Sequence, residues 1–285
     1  MNDRLDSALR QLRLSGLAQS LDVRLQEAAS HQLSHLEFLE LILQDELLVR
    51  QQRQIDRRVN AAQFKEMKSL DEFDFAFNPS IKRAQMFDLA TCRFIREAKD
   101  VLLVGPPGTG KSFLVQALGR QAIQQGFVVY YRSIFDVVRD FLHDESLGGD
   151  EKTLTRYLKP DLVIIDDMGM KSLPRRSGEI LFEIIMRRYE NRSTMMTSNR
   201  PLTDWGKLIG DVPSATAILD RFLHHAEIIA INGRSYRLRN QADGENKTNG
   251  SHEPQDPNTA NPPAGSDAGH KRKKIPKSDA DSSQS

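Results

Sequence analysis

The sequence predicts an α/β protein: a parallel five-stranded sheet with helices on both faces, ending in a β-hairpin and preceded by a small all-α N-terminal domain. Three observations predict it. Residues 105–112 read Gly-Pro-Pro-Gly-Thr-Gly-Lys-Ser, a glycine-rich loop set between an apolar run and a helical pattern. Apolar runs and amphipathic stretches alternate from residue 81 to about 240, as a wound parallel sheet requires. Before residue 70, apolar residues recur at helical spacing instead.

Residues 1–70 form the helical domain. Leu5, Leu9, Leu12, Leu17, Leu21 and Leu25 make one stripe at three- to five-residue steps. Ser34-His35-Leu36-Glu37 reads as a capping box opening a further helix. That helix begins apolar (Phe38, Leu39, Leu41, Ile42, Leu43, Leu47, Leu48) and then sets Arg50, Arg53 and Arg57 on one face. These arginines are either a solvated face or a contact for phosphate or a partner. Asp71–Ser80 is a connector anchored by Phe73, Phe75 and Phe77, and it opens the second domain, 71–240.

In that domain the strands are expected at 101–104, 127–131, 162–166, 194–198 and 227–231. Asn232-Gly233 suits a type I′ turn into Arg234–Leu238, which predicts an antiparallel hairpin at the sheet edge. Residues 241–285 are rich in Asn, Asp, Gly, Pro and Ser and are expected to be a disordered tail, with a basic cluster at Lys271–Lys274.

The strand–glycine loop–helix order gives the loop its chemistry. Gly105, Pro106, Pro107, Gly108, Thr109 and Gly110 let the backbone wrap an anionic phosphate with its N–H groups, at the positive end of the following helix. Lys111 supplies a point charge for the β- and γ-phosphates, and Ser112 a hydroxyl for Mg²⁺. Further on, the apolar run 162–165 ends in Asp166-Asp167, at the sheet edge where the loop must sit. Asp166 is placed to hold Mg²⁺ and Asp167 to orient or deprotonate a water. The 194–198 strand ends at Asn199, which either reaches the γ-phosphate or simply makes a turn with Pro201. Arg221, on a helix over 217–226, either pairs locally with Asp220 or enters the nucleotide site of a neighbouring subunit. His224 and His225 are adjacent, so one helix face cannot aim both at one ion. Arg132 and Arg139 are candidate phosphate contacts.

Composition narrows the setting. In 285 residues the net charge is +1, so charge alone announces no nucleic-acid partner. Cys92 is the one cysteine; an intrachain disulfide is excluded and a reducing, cytoplasmic location fits. Residues 1–30 are amphipathic and charged, unlike a secretory signal, and nowhere do about 20 apolar residues run together as a membrane span needs.

Several stretches occur in a telling order: Leu12–Ala18, Asp71–Phe77, Gly105–Ser112, Asp161–Gly169, Arg187–Glu190, Thr197–Asn199, Ile218–Ala226 and Gly233–Arg237. Together they resemble the P-loop AAA+ ATPases. Among these the chain is similar to the IstB-type helper ATPases of bacterial insertion sequences, relatives of the DnaC helicase loader. The resemblance implies ATP and Mg²⁺ as cofactors, ATP hydrolysis, and homo-oligomers that share nucleotide sites between subunits. It also implies double-stranded DNA and a cognate transposase as partners, with DNA remodelled and insertion stimulated. By motif position it makes Lys111 and Ser112 the Walker A pair, Asp166 and Asp167 the Walker B pair, Asn199 the first sensor and Arg221 the trans-acting finger. Two departures stand out. Asp167 takes a place usually held by glutamate, shortening the reach by about 1.5 Å. The helical lid is replaced by the expected hairpin, leaving Arg237 as the candidate second sensor. The competing readings are a replicative helicase loader, a small-molecule kinase and a nucleotide-gated clamp.

Overall fold

The computed structural model describes residues 3–145, 150–174, 177–210 and 212–238. The expected tail and its basic cluster lie outside them. Chain order begins with α1 (Asp3–Gln11), α2 (Ser15–His31) and α3 (His35–Ala62), followed by the short α4 (Arg83–Ala90) and α5 (Arg93–Arg96). Then come β1 (Asp100–Val104), α6 (Lys111–Gln124), β2 (Val129–Ser133), α7 (Ile134–Glu145), α8 (Asp150–Leu158) and β3 (Leu162–Met168). The rest is α9 (Ser177–Arg188), β4 (Ser193–Ser198), α10 (Trp205–Ile209), α11 (Val212–His224) and β5 (Ala226–Ala230).

The five strands form one sheet in the order β2-β3-β4-β1-β5, every pairing parallel. Strand alternation sends neighbouring side chains to opposite layers. Val101, Leu103, Ile164, Met195 and Tyr131 enter a core with α4 and α6. Leu102, Ile165, Met196 and Tyr130 enter a second core with α7, α9 and α11. Covering both faces is what a parallel sheet needs.

At the N-terminus the capping box forms as its sequence requires. Glu37 N donates to Ser34 Oγ at 3.3 Å, and Ser34 N to Glu37 Oε2 at 2.8 Å. The expected leucine stripe is split. Arg13 takes a left-handed backbone (φ 56°) and separates α1 from α2. Leu9, Leu17 and Leu21 are buried with Ile42, whereas Leu5, Leu12 and Leu25 face outward. Buried Glu46 of α3 accepts the N–H groups of Gly16 (2.7 Å) and Leu17 (3.0 Å), a carboxylate capping the positive end of α2. The far end of α3 docks on the α/β core: Ala62 is fully buried, and Phe64 packs 5.9 Å from the Tyr131 ring.

The terminal hairpin does not form. Asn232 N donates instead to Ser80 Oγ at 3.1 Å, and Tyr236 N to Gly108 O at 2.9 Å. A Cβ on Gly233 would lie 2.0 Å from Asn78 Oδ1, so this glycine is needed for close packing rather than for a hairpin turn. The segment therefore folds back over the phosphate loop and ends in a short 3₁₀ turn, Tyr236–Leu238. The second strand begins two residues later than expected, because Val128 N donates to Asp161 Oδ2 (2.9 Å) rather than to the ladder. No described helix is long and apolar enough to cross a membrane.

Candidate nucleotide site

Strand β1 lies between β4 and β5 while the chain crosses over to β2, so the sheet reverses direction beside its carboxyl end. Ligand crevices of open α/β sheets open at such a reversal. Residues 105–110 leave β1 there, and α6 begins at Lys111. Two glycines have positive φ, Gly108 (81°) and Gly110 (98°). A side chain at Gly110 would also strike Phe73 at 2.7 Å. Gly110 is the N-cap of α6 and offers no side-chain cap. The first N–H groups of a helix have no intrahelical acceptor, so here they suit an anion.

Thr109 Oγ1 donates to Pro106 O at 2.9 Å and holds the loop in shape. Lys111 is 4 % exposed; its Nζ donates to the carbonyls of Gly105 and Pro106, both at 2.7 Å. Burial pushes its pKa down to about 8, against the pull of Asp166 and Asp167 and helped by Arg237. A buried ammonium on neutral carbonyls is poised to gain from a phosphate.

Strand β3 delivers the acidic pair through an irregularity. Its register against β4 shifts between Ile165 and Met168, and Asp167 has φ 65°. In a regular strand, consecutive side chains point to opposite faces; a bulge re-aims one of them. Asp166 is fully buried and accepts from Ser112 Oγ (3.1 Å), Tyr131 Oη (2.6 Å), Thr197 Oγ1 and the Asp167 N–H (2.9 Å). Burial, reinforced by Asp166, raises the Tyr131 pKa and keeps the phenol a donor. Asp167 stays partly exposed and accepts from Lys65 Nζ at 2.8 Å, a contact spanning 102 positions of sequence.

These parts meet around one cleft of about 500 Å³ lined by Pro107–Phe113, Asp167 and Asn199. Asn199 directly follows β4, which lies between β3 and β1, and its N–H donates to Met168 O at 2.8 Å. Across the cleft stand Phe73, Phe77, Asn78, Tyr236 and Arg237. Phe77 and Tyr236 meet edge to face, 5.0 Å apart, an apolar wall suited to a planar base. The folded-back segment thus brings Arg237 to the site without a lid helix.

Arg221 does not line this cleft. It is exposed on α11, with its guanidinium 5.7 Å from the centre of the Tyr189 ring. His224 and His225 also need correction. Helix α11 ends at His224, so the two rings are not fixed to one helix, and their nitrogens come within 4.8 Å of each other and of a Glu190 oxygen. Arg132 and Arg139 are engaged within the chain, pairing with Asp140 and Asp136.

Lys65, Tyr131, Thr197, Tyr236 and Arg237 complete the arrangement. Lys65 carried no local signal. Tyr131 becomes legible only through the β2–β3 register, which sets Ser133 against Asp166.

Residues 7–244 match the family of IstB-like ATP binding proteins. The ATP-binding protein of insertion sequence IS5376 from Geobacillus stearothermophilus is 35% identical over 247 residues, covering 87% of this chain and 98% of that protein. The ATP-binding protein of insertion sequence IS21 from Pseudomonas aeruginosa is 35% identical over 235 residues, 82% of this chain and 89% of that one. The crystal structure of DnaI shares the fold, with a TM-score of 0.51 at 22% identity over 63% of this chain and 98% of that one.

Proposed function

The chain belongs to the family of IstB-like ATP binding proteins, and we propose that it is an ATPase that regulates transposition, assembling on duplex DNA and stimulating a partner transposase. One observation carries the enzymatic part: the loop after β1, the end of β3 and the end of β4 bring Lys111, Asp167 and Asn199 to a single cleft. The substrate is ATP, its β- and γ-phosphates on the loop N–H groups and Lys111, its base against Phe77 and Tyr236. Ser112 and Asp166 converge as a hydroxyl–carboxylate pair, a donor set that fits a hard divalent cation. They would hold Mg²⁺, which neutralises charge on the phosphates when bound.

The remaining chemistry belongs to the chain. Asp167 accepts a proton from water as the water oxygen bonds to the γ-phosphorus. The bond to the β–γ bridging oxygen breaks, and ADP and phosphate leave. Asn199 orients the water or the γ-phosphate. Arg221, exposed and absent from the lining of its own cleft, enters that of the next subunit and stabilises the transferring phosphoryl group, an effect worth about 10³–10⁵ in rate. Asp167 reaches less far than a glutamate, so hydrolysis in the isolated protein is slow and rises in the assembly. Residues 71–240 form the ATPase domain in this reading and 1–70 the partner-facing helical domain.

The test is phosphate release with and without duplex DNA and transposase. Turnover should be abolished by Lys111→Ala and stimulated by duplex. Duplex and single-stranded DNA compared in binding, with a non-hydrolysable ATP analogue, decide the biological part. A preference for single strands would favour a helicase loader and sink the transposition reading.

A further inference from the structure

Helix α3 carries a basic groove that shares no lining residue with the nucleotide cleft. Arg13, in the turn between α1 and α2, meets Arg50, Arg53 and Arg57 along one open depression. The three α3 arginines share a face because they recur at three- and four-residue steps. Arg13 is set against them by its left-handed backbone, and Arg50 Nη2 donates to its carbonyl at 3.4 Å.

The charges in this groove are poorly compensated. Asp56 is the one carboxylate in the lining, and it accepts from Gln52 at 2.8 Å. Arg50 pairs with Glu46 at 2.7 Å, but Glu46 also serves the N–H groups of Gly16 and Leu17. Arg53 donates to the Ser15 hydroxyl, and Arg57 to the carbonyl of Arg53 at 3.3 Å. Both acceptors are neutral. Four guanidiniums meet one carboxylate in the lining, and with Glu46 paired to Arg50 the positive charge still exceeds the negative by two. Like charges gathered this way repel until an anion arrives.

The lining also selects the kind of anion. Gln51, Gln54 and Asn60 add amide donors beside the guanidiniums, and these side-chain types dominate contacts to phosphate oxygens. Leu12 and Leu47, each 65% exposed, are the apolar residues of the lining, and a protein partner seated on them is the alternative that the experiment separates.

We infer that the groove formed by Arg13, Arg50, Arg53 and Arg57 binds the sugar–phosphate backbone of duplex DNA, independently of base sequence. This rests on the duplex-DNA reading above and adds where the helical segment holds it. Contacts of this kind make affinity fall steeply with salt, by about 0.9 in the slope of log K against log salt for each phosphate neutralised.

The experiment is fluorescence anisotropy of the full-length chain, with a non-hydrolysable ATP analogue, on a labelled duplex of arbitrary sequence across a salt series. The double variant Arg53→Ala/Arg57→Ala should lower the magnitude of the slope by about 1.8 and weaken binding. DNA-free ATP turnover should not change. Arg53→Lys/Arg57→Lys should keep the wild-type slope, separating lost charge from a damaged fold. If the alanine variant matches wild type in slope and affinity, the groove assignment fails while the DNA reading stands. Unchanged duplex binding with lost transposase binding would make the groove a protein surface and equally overturn the assignment. Should the wild-type chain not bind duplex at all, the DNA reading falls and takes the groove with it.

Discussion

Replacing Lys65 by methionine should speed basal ATP hydrolysis. Lys65 Nζ donates to Asp167 Oδ2 at 2.8 Å, and the two side chains are 49% and 27% exposed. In the proposed mechanism Asp167 takes a proton from the attacking water; as the carboxylate is neutralised its attraction to the Lys65 ammonium is lost, so the pair is given up on the way to the transition state. The cost of opening sets the size of the effect. Ion pairs this exposed contribute about 0.2–1 kcal/mol. At 1.36 kcal/mol per tenfold, removing the restraint raises kcat by about 1.4- to 5-fold. Methionine keeps the apolar stem over the Tyr131 ring, from whose centre Lys65 Nζ now lies 6.0 Å. Lys65 does not line the nucleotide cleft, so KM for ATP should stay constant. Steady-state phosphate release over a range of ATP concentrations reads both quantities, and Lys65→Arg should behave as wild type. A fall in kcat would show that Lys65 assists the reaction and would refute the reasoning. A shift confined to KM would equally show that it contacts the nucleotide. Because Lys65 lies three residues past α3, whose exposed face carries the arginine groove, the pair is also a route by which DNA could alter turnover.

Two further outcomes follow from the buried groups. Lys111 titrates near 8 in the free protein because burial disfavours its charge; phosphates restore the charged form, so ATP binding takes up protons at and above this pH and weakens as pH rises through it. Calorimetry near pH 8 in buffers of different ionisation enthalpy should report about half a proton per site, and zero uptake would contradict the placement of Lys111. Tyr131→Phe removes one of four donors to fully buried Asp166 and should cost about 1–3 kcal/mol in a urea melt, along with weaker Mg²⁺ dependence of turnover. An unchanged melting curve would mean the phenol is dispensable to the acidic site.

What the sequence made legible was mostly local. The loop at 105–112 needs only its own glycines, a strand before it and a helix after it. The Ser34–Glu37 box is complete within four residues. The five strands announce themselves by apolar content, whereas their order, β2-β3-β4-β1-β5, is set by long-range pairing that no local pattern carries. Illegible were features decided across distance. The leucine stripe looked continuous because periodicity does not register the left-handed turn at Arg13. Asn232-Gly233 carries strong hairpin chemistry, yet its partners are Ser80 and Asn78, brought close only when the connector docks. The bulge that turns Asp167 toward the cleft depends on β4 lying beside β3. Adjacent in sequence, His224 and His225 read as neighbours on one helix, and the helix ends one residue too soon for that rule.

Mixing two inactive variants puts the shared nucleotide site to the sharpest trial. Lys111→Ala should abolish phosphate binding in its own cleft, and Arg221→Ala removes the guanidinium proposed to serve a neighbouring subunit. If each site takes Lys111 from one subunit and Arg221 from the next, equal mixing rebuilds a complete site at about a quarter of head-to-tail junctions. ATP turnover on duplex DNA should then recover to about that fraction of wild type, although each variant alone is inactive. A mixture as inactive as its components would contradict a site divided between subunits.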